Sequence, residues 1–390
     1  MKVLRIIRSL NPSGGGPVDG LRQSIPCLAN YGIETTVLSL DPPESPWLIN
    51  FPCNTLPLGP VYGGYGFRTG LVRSITDFSS HFNHIIVEGL WQYHSLATWL
   101  ALRNSIHSYY VYPHGMLDPW FKRAYPVKHI KKSIYWPFAE YNLLRDASGV
   151  LFTTSAECHL AKQSFSRYNA REYVVGYGSS ACPDTSHIDY GTYFKSYPEL
   201  IDKEVYLFLG RIHPKKGVDH LISAFSKIAS HNPNRHLVLA GPVSPSYRRL
   251  LDHHIVSCAI ESQTTWTGHL DGNMKWAAYS SSSLFCLPSH QENFGVSVAE
   301  ALSASLPVAI SSAVNIADRV QATGSGFVRP DTIPGTLDAL QCWSSLDSEQ
   351  RLLMSQRAHS LFLKEFQWTQ VSERLARLLY NPESIPYTYS

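Results

Sequence analysis

Two short stretches of the 390-residue chain hold charged groups at spacings suited to anion and sugar chemistry. The first is GRIHPKKG at 210–217, which follows an apolar run and precedes a helical pattern opening near His220. Arg211 offers a planar cation fork and Lys216 an ammonium, in a turn where backbone amides converge, as binding and release of a diphosphate require. A turn with two solvated basic residues looks the same. The second is ENFGVSVAE at 292–300, in which seven residues separate Glu292 from Glu300. That spacing puts Glu292 in a loop and Glu300 about two helical turns below that loop, on the following helix, so the carboxylates can accept hydrogen bonds from two different rings, a hexose and a ribose. Enrichment of glutamate by the helix dipole is the ordinary alternative. It does not explain a Glu300 flanked by Val298, Ala299, Ala301 and Leu302.

Three weaker signals accompany these. PHGMLDPW at 113–120 ends another apolar run and offers His114 beside Gly115, although the chain has 17 histidines and a structural histidine closing a strand is the usual case. Gly14, Gly15 and Gly16 follow the first apolar run, and their lack of side chains would let backbone approach a phosphate closely. Such a loop suits any dinucleotide-binding domain, but GxGxxG is not completed, which weakens a dehydrogenase reading. The chain also lacks Asp-x-Asp, with which another class of nucleotide-sugar transferases holds a divalent cation, so no metal ligand is assigned.

The elements that must position these groups read as two series of parallel strands. Continuous apolar runs at 3–9, 34–40, 84–89, 108–115, 149–155 and 172–178 form the first, and runs at 204–211, 236–242, 264–269, 284–289 and 307–312 the second. Unbroken rather than alternating apolarity suits strands covered on both faces by helices. The polar, turn-rich stretch at 179–193 is the expected linker. Length alone favours two domains of similar size. With 44% hydrophobic and 16% charged residues, order is expected throughout, and a formal net charge of +3 gives no nucleic-acid stripe. Seven scattered cysteines without a CxxC pair read as thiols of a reducing compartment. No apolar stretch has the length of a signal peptide or membrane span, so a cytoplasmic protein is expected.

GRxxxxKG followed by Glu, seven residues and Glu resembles the retaining glycosyltransferases of family 4, the glycosyl transferases group 1. The stretches LFLGRIHPKKGVDHLISAF, LVLAGP, FCLPSHQENFGVSVAEALSASLPVAIS and SGGG occur in the matching order, so the resemblance covers most of the chain. It implies an α/β GT-B fold, two Rossmann-like β/α/β domains facing each other across a cleft. The acceptor side would span 1–182, joined by a C-terminal helix at 366–390, and the nucleotide-sugar side 183–365. Carried over, the pattern makes Arg211 and Lys216 diphosphate ligands in place of a metal, Glu300 a ribose ligand and Glu292 a sugar ligand near the reacting carbon. Backbone at Asn293, Phe294, Gly295 and Val296 would approach the sugar, the base would lie near Gly241, Pro242 and 268–270 with Leu270, and Gly15 and Gly16 would close over the diphosphate. His114 would bond the donor sugar. FQWTQVSERLARLLY at 366–380 would form an amphipathic helix returning to the N-terminal domain, anchored by Trp368.

More narrowly, HGMLDPW with KKSIYWPFAEYNLLRDASGVLFTTSAE is similar to exopolysaccharide glycosyltransferases of cyanobacteria and other bacteria, including those of the heterocyst envelope. Transfer of a hexose, with UDP-glucose favoured over GDP-mannose and UDP-galactose, to an oligosaccharide or lipid-linked sugar acceptor is what this implies, without a cofactor. Glu88, Trp91 and Glu157 recur near the cleft in such sequences, where a structural role is at least as well founded. Lys128, Lys131 and Lys132 fall on one helix face near Trp120, Tyr125 and Trp136, and either solvation or a peripheral contact with an anionic membrane would use that face. A nucleotide-sugar epimerase and a non-catalytic glycosyltransferase-like binding subunit are the rival readings. A phosphorylase would need a pyridoxal phosphate lysine and a longer chain.

Overall fold

A computed structural model of the chain describes residues 1–230 and 232–384. Residues 385–390 of the expected C-terminal segment lie outside the described residues. The chain forms two units, the first made of residues 1–178 and the segment from Trp368 onward, the second of Ser179–Gln367.

The first unit contains β1 (Lys2–Ile7), β2 (Glu34–Ser39), β3 (Asn54–Pro57), β4 (His84–Glu88), β5 (Tyr109–Tyr112), β6 (Gly149–Phe152) and β7 (Glu172–Val174). They form one parallel sheet in the order β3-β2-β1-β4-β5-β6-β7. The second unit contains β8 (Glu204–Leu209), β9 (Arg235–Ala240), β10 (Thr264–Gly268), β11 (Leu284–Leu287), β12 (Val308–Ser311) and β13 (Gly326–Arg329), again parallel, in the order β10-β9-β8-β11-β12-β13. Helices cover both faces, which is why the strands are apolar without alternation. In β1, Leu4 and Ile6 enter one core cluster, while Val3 and Ile7 pack into clusters on the opposite face.

Both sheets reverse their strand order beside the first strand of the unit. There, loops leave neighbouring strands toward opposite sides and open a crevice at the carboxyl ends. In the second unit the two loops are those after β8 and β11, and in the first those after β1 and β4.

Two strands escape the sequence reading, and both are sheet edges. β3 carries Pro57, which an edge strand tolerates, and β13 is a four-residue strand that is only partly buried. The expected linker is also part of the second unit. Ser179 N–H donates to the Phe366 carbonyl at 2.9 Å, Cys182 N–H to Ser303 Oγ at 3.0 Å, and Ile188 and Tyr193 are buried. The returning helix runs Trp368–Tyr380 and buries Trp368, Val371, Leu375, Leu378 and Leu379 at helical spacing. Trp368 packs on Gly178, where a Cβ would fall 2.3 Å from its Cδ2, and Trp368 Nε1–H donates to Gln23 Oε1 at 2.9 Å.

Candidate active site

The loop after β8 is a tight turn seated on the end of β11. His213 Nδ1 accepts from Lys215 N–H at 3.2 Å, and a short 3-10 turn, Pro214–Lys216, ends at Gly217 with φ 65°. A Cβ on Gly217 would lie 2.2 Å from the Pro288 carbonyl oxygen, so glycine is required for the turn to sit against the second loop. This seating carries Lys216 to Glu292, with which it forms an ion pair. Arg211 is exposed and has no ion-pair partner among the described residues. His213 is held below the ordinary histidine range by partial burial and by the charges of Arg211, Lys215 and Lys216, so the turn is a locally positive field.

The loop after β11 is pinned on both sides. His290 N–H donates to the Lys215 carbonyl at 2.8 Å, Glu292 N–H to the Ala313 carbonyl at 3.0 Å, and Asn315 N–H to the Glu292 carbonyl at 3.0 Å. Gly295, with φ 87°, starts the helix Val296–Ser303, and its carbonyl accepts from Val298 and Ala299. The Val296 and Ser297 amides, at the start of that helix, have no intrahelical acceptor, which gives this end an affinity for anions. Phe294 is buried edge-on against Phe366 at 5.5 Å, so its side chain fixes the loop. Asn293 and Val296 are partly exposed on either side.

Glu300 lies on the fifth position of this helix and is buried. Its Oε1 accepts from Lys275 Nζ at 2.7 Å and its Oε2 from Tyr279 Oη at 3.0 Å. Burial, reinforced by the Glu300 charge, pushes the Tyr279 phenol well above its usual value, so it remains a hydrogen-bond donor across the working pH range. Each carboxylate oxygen keeps a further lone pair for a ligand hydroxyl. Lys275 and Tyr279 escaped the sequence reading. They are four apart in GNMKWAAYS, where Lys275 is the single charge, and that spacing was the available signal. Gly241 N–H donates to the Gly268 carbonyl at 2.7 Å, joining the ends of β9 and β10, and Leu270 is buried beyond them.

In the first unit, a Cβ on Gly15 or Gly16 would meet no atom within 4 Å, so the glycine loop has an open outer side. The Gly16 carbonyl accepts from Tyr177 Oη at 2.5 Å. His114 is tied into a buried network rather than standing free. Its Nε2 lies 2.6 Å from Glu88 Oε2, Arg5 Nε–H donates to Glu88 Oε1 at 2.6 Å, and its ring stacks on Tyr112 at 5.2 Å. Burial alone would raise the Glu88 carboxyl, but the Arg5 guanidinium and the His114 hydrogen bond outweigh it and keep Glu88 ionised. His114 itself takes φ 50°, and Gly115 N–H donates to Glu157 Oε1 at 2.6 Å, so Glu157 holds the turn that aims the ring. Trp91, with φ 70°, is held by its N–H bond to Glu140 Oε1 at 2.6 Å. Arg5 and Glu140 were not singled out in the sequence.

Residues 190–360, a span that includes Arg211, Lys216, Glu292 and Glu300, match the family described as Glycosyl transferases group 1. The second unit carries a group 1 glycosyltransferase domain. Among curated proteins, an uncharacterized glycosyltransferase of Methanocaldococcus jannaschii is 29% identical over 141 residues, 35% of either chain. A 2-deoxystreptamine N-acetyl-D-glucosaminyltransferase of Niallia circulans is 30% identical over 110 residues, 28% of either chain, and a D-inositol 3-phosphate glycosyltransferase of Segniliparus rotundus 28% identical over 44% of this chain and 39% of that one. The chain thus matches roughly a third of the length of these relatives. Solved structures align over nearly all of it. Sucrose-phosphate synthase from Thermosynechococcus elongatus has a TM-score of 0.75 at 17% identity, covering 98% of this chain and 99% of that one. Anabaena HepE in complex with UDP and glucose has a TM-score of 0.75 at 17% identity, covering 97% and 99%. At these identities the shared property is the fold, and that fold is GT-B. The matched span therefore holds all four charged residues singled out in its sequence: Lys216 pairs with Glu292, Glu300 pairs with Lys275, and Arg211 stands exposed beside them.

Proposed function

We propose that the chain is a retaining hexosyltransferase that moves glucose from UDP-glucose to a sugar or lipid-linked oligosaccharide in exopolysaccharide synthesis. The observation that carries this reading is the meeting of Lys216 and Glu292 at the switch point of the second sheet, beside exposed Arg211 and the amide end of the helix Val296–Ser303. A diphosphate there would exchange one anionic partner of Lys216 for another, gain the Arg211 fork, and leave Glu292 free to accept from a sugar hydroxyl. Glu300, already holding two donors, would accept from the ribose. HepE, whose complex contains UDP and glucose, supports the choice of donor.

In the reaction, the bond between the sugar carbon and the diphosphate oxygen breaks with its electron pair going to the diphosphate. The acceptor hydroxyl bonds to the same face through an oxocarbenium-like state, and its proton passes to the departing phosphate, the base nearest that face. Charge grows on the leaving group, so cations fixed beside it stabilise the transition state more than the ground state. The reading calls for no metal or other cofactor. Seven free thiols support a reducing, cytoplasmic setting.

Thermal shift against UDP-glucose, UDP-galactose and GDP-mannose tests the donor. A shift with UDP-glucose that Arg211→Ala removes is the expected result. No shift with any nucleotide sugar would overturn the reading, and conversion of the donor to its epimer without acceptor would replace it.

A further inference from the structure

Between Asp118 and Glu140 the chain carries Lys122, Arg123, Lys128, Lys131 and Lys132 and no acidic residue. The segment folds as the helices Trp120–Ala124 and Pro126–Tyr135 and the turn Trp136–Phe138. The inward side of the longer helix is polar and aromatic. His129 stacks on Phe165 at 4.8 Å, Lys132 lies over the Trp91 ring at 4.3 Å, and Tyr135 Oη bonds Tyr65 Oη. The expected basic face is therefore split, because Lys132 turns inward while Lys128 and Lys131 stay exposed.

What faces solvent is apolar. Val127, Ile130 and Ile134 are 67%, 60% and 67% exposed, and Phe138 just beyond them 72%. At 3.6 residues per turn the first three fall in one narrow arc, with Lys131 beside it and Lys128 on its flank. A helix of a folded unit ordinarily turns such a stripe to the core. Here it is outward, and large apolar side chains gathered in one strip mark a contact surface. Among the described residues none of the five cations forms an ion pair, and only inward-turned Lys132 feels a carboxylate, that of Glu140. Two copies of so uniformly basic a face would repel each other. A surface that is anionic throughout and apolar just beneath is complementary to both features.

We propose that this face docks on an anionic lipid bilayer, with Val127, Ile130, Ile134 and Phe138 entering the headgroup boundary and Lys128 and Lys131 meeting lipid phosphates. The proposal stands apart from the transferase reading, since it concerns another ligand and other residues.

Co-sedimentation of the full chain with phosphatidylcholine vesicles, with and without phosphatidylglycerol, tests it. Pelleting is expected only with phosphatidylglycerol and should decline as salt is raised. Ile130→Ser with Ile134→Ser should abolish it, and Lys128→Gln or Lys131→Gln should weaken it about fivefold each. These side chains are exposed, and unchanged thermal unfolding of each variant shows that the fold is kept. Wild-type protein staying in the supernatant, or serine variants pelleting like wild type, would overturn the proposal. So would a wild-type dimer on light scattering that the serine substitutions convert to monomer, which would make the face a self-interface.

Discussion

Replacing Lys216 by alanine separates its pairing with Glu292 from the leaving-group role proposed for it. Its ammonium pairs with Glu292, and the two side chains are 19% and 18% exposed. Exposed pairs contribute at most about 1 kcal/mol and breaking a fully buried pair costs about 3–5, so this loss should fall near 1–2 kcal/mol in urea unfolding. The catalytic loss should be larger. A fixed donor lost from beside a developing oxyanion costs about 3–4 kcal/mol, on the order of a hundred- to a thousandfold in turnover. Nucleoside diphosphate release at saturating donor measures it. Glu292→Gln should also destabilise, because it leaves the ammonium without its anion. The double variant Lys216→Ala with Glu292→Gln should recover much of that stability but none of the turnover, giving a coupling energy of about 1–2 kcal/mol. Turnover of Lys216→Ala within tenfold of wild type would refute the leaving-group role. Stability losses that simply add would refute the pairing.

Three further outcomes follow from other contacts. Glu300→Ala leaves Lys275 Nζ without its acceptor and Tyr279 Oη with only the Ser297 carbonyl at 3.2 Å, so unfolding free energy should fall by about 1–3 kcal/mol, and calorimetry should show at least about tenfold weaker nucleotide binding. The Glu140 carboxyl is pushed up from the usual 4.5 to about 7 by burial. The folded state therefore keeps a proton that the unfolded chain has lost between these values, and stability declines as pH rises through that window, by about 3 kcal/mol in all. Glu140→Gln removes the decline, so its advantage over wild type in urea should be much larger at about pH 8 than at about pH 5; equal advantages would sink this account. Trp368→Ala should cost about 3–5 kcal/mol with an unchanged urea slope, since it vacates the packing on Gly178 and Tyr177.

The fold was legible wherever burial on both faces left an unbroken apolar run. Ten of the thirteen strands hold buried positions; β3, β10 and β13 hold none, all three lie at sheet edges, where one side of the strand has no neighbour and the apolar demand falls, and of these only β10 falls in an expected run. The expected linker at 179–193 begins where the two units divide, and it is not a free segment. The stretch at 179–193 is polar because it is held by backbone hydrogen bonds and short caps, such as Asp189 Oδ1 accepting from Thr192 N–H at 2.9 Å, and composition does not separate such a segment from a free one.

The chemistry of the two units differs in legibility for a physical reason. In the second, each loop at the switch point is one contiguous stretch, so Arg211 with Lys216, and Glu292 with Glu300, announce themselves by local spacing. In the first, Arg5, Glu88 and His114 come from the neighbouring strands β1 and β4 and from the end of β5, separated by 83 residues in one bond and 26 in the other, and only sheet register brings them together. The one local trace was a charge inside an apolar run, Arg5 in KVLRII and Glu88 closing HIIVE. Register also fixes what His114 can do. With Arg5 keeping Glu88 ionised, Nε2 is committed to that carboxylate, so Nδ1 is the ring nitrogen left for a ligand, and the side chain is only 8% exposed. A ligand reaching that atom would meet a ring backed by a buried carboxylate, and Glu88→Gln would remove that backing and at the same time leave the buried Arg5 guanidinium without its anion.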